Sequence, residues 1–164
     1  MTRALALFGA AVLAIGVTAL GAAASSGSGK PTTGKSFTFH LIEKDQGFTF
    51  IDNPPRQANE EQPPSLGDQL AFSSELLTRS GKHAGLLDAT CIVTRGGSHP
   101  MGPCYGLFRL KGGRLALMAT IDFSKDVTRI AIVGGTGVYE GATGSIVSVS
   151  RNNGSADTVH LRLP

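Results

Sequence analysis

Residues 130–144 read Ile-Ala-Ile-Val-Gly-Gly-Thr-Gly-Val-Tyr-Glu-Gly-Ala-Thr-Gly, an apolar run entering a glycine-rich turn. In a dinucleotide-binding fold such glycines let the backbone approach a pyrophosphate, which then rests on the N-terminus of the next helix. The residues after the turn exclude that reading. Ser145-Ile146-Val147-Ser148-Val149-Ser150 alternates with a period of two, the pattern of a strand. Only 20 residues remain after Gly144, too few for a parallel sheet around a cofactor. A wide turn between two antiparallel strands is left.

The rest of the chain has the same character. Strands are expected at Ser36–Lys44, Phe48–Ile51 and Leu66–Thr78, the last with a kink near Ser73-Ser74. Gly85–Arg95 sets Leu87, Ala89, Cys91 and Val93 against Leu86, Asp88, Thr90 and Ile92. Cys104–Lys111, Arg114–Phe123, Val127–Val133, Ser145–Ser150 and Thr158–Leu163 complete the set. Lys111-Gly112-Gly113 and Asn152-Asn153-Gly154 mark tight turns, and Arg56–Pro64 reads as a polar surface loop. No segment after Ala24 shows a 3.6-residue period. Short, regularly spaced strands predict a β-sandwich or a β-barrel, and composition does not choose between them.

The first 24 residues stand apart. Arg3 precedes an apolar run from Ala4 to Leu20, and Ala22-Ala23-Ala24 fits a small-residue cleavage site. The expectation is a signal peptide over residues 1–24, a flexible linker over 25–35 and one domain over 36–164. The competing reading is a permanent N-terminal anchor. With the signal removed, the chain is expected to be secreted, with no stable membrane insertion. The chain after Ala24 carries 14 basic and 12 acidic residues, scattered along its length, and no Trp. Nothing in that pattern supports nucleic-acid binding.

Cys91 and Cys104 are the only cysteines and lie symmetrically about the Gly96–Pro100 turn. A disulfide across a hairpin fits an exported chain; two free thiols lining a cavity are the alternative. Histidines 40, 83, 99 and 160 lack metal-ligand spacing, so no metal or other cofactor is expected. No Gly-x-Ser-x-Gly elbow is present to support serine hydrolase chemistry.

Several pieces together carry a family resemblance. Gly-Gly-Thr-Gly-x-Tyr-x-Gly-Ala-x-Gly at 134–144, Phe48–Pro55, Leu66–Phe72 and Gly85–Cys91 occur in an order that resembles the allene oxide cyclase and dirigent-protein superfamily. The resemblance runs from about Phe37 to Leu163. It implies an eight-stranded antiparallel β-barrel, often trimeric, around an apolar cavity that binds a small apolar or phenolic molecule. It also implies guidance of cyclisation or stereoselective coupling by confinement, an isomerase-like activity if catalysis occurs. A packed, non-catalytic structural barrel is the competing class.

Phe39, Cys91, Phe108, Leu117 and Tyr139 are the expected cavity residues. The essential glutamate on the first strand of the plant cyclases aligns with His40, or with Glu43 in a shifted register. Asp52 matches a dirigent aspartate. These three are the catalytic candidates. The chain departs from the family at Ser74, near Ile121 and at Thr143, where other residues are expected.

Overall fold

The computed structural model describes residues 34–54 and 62–164. The expected signal peptide and nearly all of the linker lie outside the described residues, as does most of the Arg56–Pro64 loop. Among the described residues there are eight strands: β1 (Lys35–Ile51), β2 (Gln69–Thr78), β3 (His83–Ile92), β4 (Met101–Leu110), β5 (Gly113–Asp122), β6 (Val127–Gly137), β7 (Thr143–Arg151) and β8 (Gly154–Leu163). Each pairs antiparallel with its neighbour in sequence, and β8 returns to β1, closing the barrel. The barrel expectation is met. Closure removes the exposed edges that an open sheet would present.

The two early strand candidates are one strand. The ladder to β2 runs from Leu41↔Thr78 to Ile51↔Gln69 and shifts only between Asp45 and Gly47. This is a β-bulge: an extra residue changes the alternation and bends the strand without ending the pairing. Its partners are Ser74 and Ser73, the place where a kink is expected from the sequence.

Alternation sorts each strand into an inward and an outward row. Inward side chains Leu41, Leu76, Phe108, Leu115, Ile146 and Val159 are buried in a continuous core. That core fills the end of the barrel where the β2–β3, β4–β5 and β6–β7 connections lie. Gly112, at φ +91°, turns β4 into β5.

The glycine-rich stretch seals this end. It extends β6 to Gly137 and then folds back, with Ala142 N–H donating to Tyr139 O at 3.0 Å and Val138 N–H to Gly112 O at 3.0 Å. Ala142 is buried in the core. Gly137 sits at φ +64°, and a side chain at Gly135 would collide with the Tyr139 backbone. These glycines shape a plug.

The opposite end carries the β1–β2, β3–β4, β5–β6 and β7–β8 connections. Asp68, fully buried, anchors the first of them. Its carboxylate accepts from Ser65 N–H at 2.7 Å and Asn53 N–H at 2.9 Å, while Asn53 Nδ2 donates to Gly67 O at 2.6 Å. Just below, Cys91 and Cys104 face one another across β3 and β4 and form a disulfide, with Cα atoms 4.1 Å apart.

Candidate functional site

Between the sealed end and the turns of the other end, the barrel interior holds a cavity of about 390 Å³. This volume lies in the range of small-molecule sites. One wall is apolar, built by Phe72, Leu87, Phe108, Leu117, Ile121 and the Cys91–Cys104 disulfide. Small side chains at Ala89, Gly106 and Ala119 leave the space that larger ones would fill. The other wall is polar. Glu43 and Asp45 from β1, Thr128 from β6, and Ser148 and Ser150 from β7 contribute to it. Lys125, exposed in the β5–β6 connection, is the one basic lining residue among the described residues.

The chemical centre of this wall is Glu43, which is backed by a second carboxyl group, Asp157, outside the lining itself. Glu43 lies on the inward row of β1 opposite Ser155 of β8, and Asp157 is the next inward residue on β8. Glu43 is 9% exposed and Asp157 is 2% exposed. Ser155 Oγ donates to Asp157 Oδ1 at 2.9 Å, and the Asp157 carboxylate also shares a side-chain hydrogen bond with the Glu43 carboxyl.

Burial pushes the Glu43 carboxyl up to about 9, and the neighbouring Asp157 carboxylate adds to the effect. A hydrogen bond between the Glu43 and Asp157 carboxyl groups raises it too; a hydrogen bond from Ser155 opposes these effects, and the Asp45 carboxylate adds a last, smaller rise. Glu43 therefore holds its proton at neutral pH. A protonated carboxyl can donate a hydrogen bond or deliver a proton to a bound molecule, where an ionised one could do neither. Nearer the open end, Asp45 Oδ1 accepts from the buried Ser74 hydroxyl at 3.3 Å.

The catalytic candidates separate clearly. Glu43 reaches the cavity. His40 does not: it lies on the outward row, with Nδ1 3.2 Å from Thr158 Oγ1. Asp52 lies in the β1–β2 connection, outside the cavity lining. Among the cavity candidates, Cys91, Phe108 and Leu117 line the space. Phe39 and Tyr139 pack against the core at the sealed end instead, and Tyr139 OH points to Lys111 O at 3.4 Å. Sequence reasoning misses Asp157 and Asp45. The alternation Ser155, Asp157, Val159, Leu161 holds the clue to Asp157, since it puts a carboxylate on an otherwise largely apolar row.

A second concavity, of about 990 Å³, lies on the outer surface and is lined by Thr90, Tyr105, Leu107, Met118 and Val133. Leu107, Met118 and Val133 are exposed there. The exposed Arg109–Asp88 ion pair, 2.7 Å, stands on this face of β3 and β4. Among the described residues no group of three or more histidines, cysteines or carboxylates is placed to hold a metal ion.

These features define a class of fold: a closed eight-stranded antiparallel barrel with one sealed end and an interior cavity, the fold of dirigent and cyclase barrels. No family model and no curated protein matches the chain. Solved structures do. The chain is similar to pyocyanin demethylase, with a TM-score of 0.67 and 22% identity, over 76% of this chain and 99% of that one. It is also similar to AbnU, an exo-specific intermolecular Diels-Alderase, with a TM-score of 0.61 and 14% identity, covering 80% and 99% of the two chains. The pterocarpan synthase dirigent protein PsPTS1 aligns with a TM-score of 0.59 and 16% identity, covering 79% and 94%.

Proposed function

We propose that this protein is an exported barrel that binds a small apolar or aromatic molecule in its interior cavity and guides that molecule's cyclisation or coupling. The observation that carries the reading is the cavity itself: apolar on one side, with a protonated Glu43 on the other. Such a site can hold a reactive molecule in one folded shape while a single proton donor polarises it. The fold is shared with proteins described as Diels-Alderases and a pterocarpan synthase, which supports guided ring formation. A structural barrel with a packed interior is disfavoured by about 390 Å³ of interior space.

Self-association is part of the proposal. The apolar outer concavity formed by Leu107, Met118 and Val133 offers a surface for other copies of the chain. The N-terminal segment Met1–Ala24 supplies the export signal.

Native mass spectrometry of the mature protein, secreted by its own host, tests all three parts. A co-purifying small molecule, a trimer mass and a chain beginning after Ala24 are the expected results. A variant that fills the cavity, Ala119→Phe, should lose the small molecule while remaining folded. Equal ligand retention by this variant would contradict the cavity assignment.

A further inference from the structure

Among the described residues the barrel wall parts between β5 and β6, and the cavity reaches the seam. The ladder between these strands runs from Gly113↔Gly137 to Met118↔Ala131 and stops there. Both strands continue past that point, β5 paired with β4 as far as Asp122↔Met101 and β6 paired with β7 as far as Val127↔Val149. A bulge precedes the seam: Ala116 pairs with Gly134 and Leu117 with Ile132, which leaves Val133 as an extra residue on β6. Such a bulge increases the local twist and turns a strand away from its neighbour. The two ends of the β5–β6 connection are then tied to different partners. Phe123 N–H donates to Pro100 O at 2.9 Å, on the β4 side, while Ser150 N–H of β7 donates to Asp126 O at 2.7 Å.

The side chains beside the seam belong to the cavity. Ala119, Ile121 and Phe123 form one lip and Thr128 and Ile130 the other, and all five line the interior space. Each is half-buried, whereas Leu117 and Ile132, the inward residues where the ladder still holds, are buried. On β4 the residues opposite Ala119 and Ile121 are Cys104 and Gly102, both buried, so height along the barrel axis does not account for the difference. Elsewhere at this end the connections are joined to one another. Gly67 N–H donates to Val93 O and Val93 N–H to Asp68 O, both at 2.8 Å, and Val93 is fully buried.

We propose that this seam is a ligand subsite: the molecule in the cavity carries an unbranched apolar arm that lies between β5 and β6 and reaches the outer surface. This rests on the reading of the cavity as a ligand site and adds the ligand's shape, a ring system with an extended tail. Ile121, Phe123 and Ile130 continue the apolar lining formed by Phe108 and Leu117, and covering their half-exposed surfaces favours an apolar arm. The outward residues Thr120 and Arg129 are exposed, so the strand-edge backbone groups keep access to water while the arm covers the inward lips. A branched substituent would have to spread strands that are anchored through Phe123 and Asp126.

The test uses a naphthyl probe carrying a nitroxide at the end of a six-carbon chain, added to the folded, isotopically labelled protein. Shift changes at Leu87 and Phe108 report the ring in the cavity, and nitroxide broadening of amide signals reports the end of the arm. Both are expected, with the broadening centred on Thr120, Asp122, Val127 and Arg129. Broadening centred instead on Asn53, Gly67 and Thr94 would overturn the seam and leave the cavity reading intact. An absence of shift changes inside the barrel would overturn both. A second measurement closes the seam. Thr120→Cys with Arg129→Cys, joined by a short bis-methanethiosulfonate linker, should bind the probe about tenfold more weakly than the same variant with each thiol capped singly. Equal affinities would overturn the subsite. If the variant fails to fold, the broadening pattern on the wild-type protein still decides.

Discussion

Replacing Glu43 by Gln should make the protein more stable at neutral and alkaline pH, because Gln keeps the shape of a neutral carboxyl and cannot ionise. An unperturbed glutamate titrates at 4.5, whereas folded Glu43 titrates at about 9. Between these values the folded state keeps a proton that the unfolded chain releases. Folding stability therefore falls as pH rises across that window, and the loss is complete above it. Each pH unit inside the window costs about 1.4 kcal/mol, so from pH 4.5 to pH 7 the group removes about 3 kcal/mol.

That is a large share of a small domain's net stability of about 5–15 kcal/mol. The assay is urea unfolding of both proteins with the disulfide kept oxidised, at several values between about pH 5 and about pH 8. The two free-energy curves should diverge steadily as pH rises, with the variant above the wild type. Parallel curves would overturn this expectation, since they would mean that Glu43 ionises as freely in the barrel as in the unfolded chain.

Removing the disulfide with Cys91→Ser and Cys104→Ser, which releases a closure spanning 13 positions, should cost about 3 kcal/mol in denaturant unfolding. Gly135→Ala should cost roughly 1–3 kcal/mol by forcing the plug off the barrel end, seen as a lower melting temperature and faster amide exchange around Tyr139. Arg109→Ala should change stability by less than about 1 kcal/mol, because its partnership with Asp88 is solvent-exposed on both sides; a larger loss would show that the outer face is buried in the working assembly.

Much of the fold is legible in the sequence because a barrel strand writes its two faces into alternate residues. The inward rows of β3, β4 and β5, including Cys91 opposite Cys104, follow from alternation and from the turn between those cysteines. Two things are not written that way. A bulge changes the alternation as a turn does, so Asp45-Gln46-Gly47 separates two apparent strands that the ladder to β2 shows to be one.

Parity also gives a face and not a height along the barrel axis. Phe39 and Leu41 share the inward row of β1 with Glu43, yet Leu41 belongs to the packed core, Phe39 packs against that core, and Glu43 belongs to the cavity. Tyr139 departs from its expected place for a related reason: it lies in the plug, beyond the ladder between β6 and β7. His40 is ambiguous in the sequence because β1 carries apolar residues on both rows, Phe37, Phe39 and Leu41 against Ile42. Asp157 is hidden because β8 begins at Gly154, four residues before the alternation that is plain from Thr158 onward.

Whether a small molecule binds in the barrel interior is decided by mapping the amide and methyl NMR shifts of the labelled protein on titration with a two-ring aromatic probe. Perturbations should centre on Leu87, Cys91, Phe108 and Ile121 inside the barrel and be absent in Ala119→Phe. Perturbations confined to Ala71, Thr90, Leu107 and Val133 on the outer concavity would contradict an interior site.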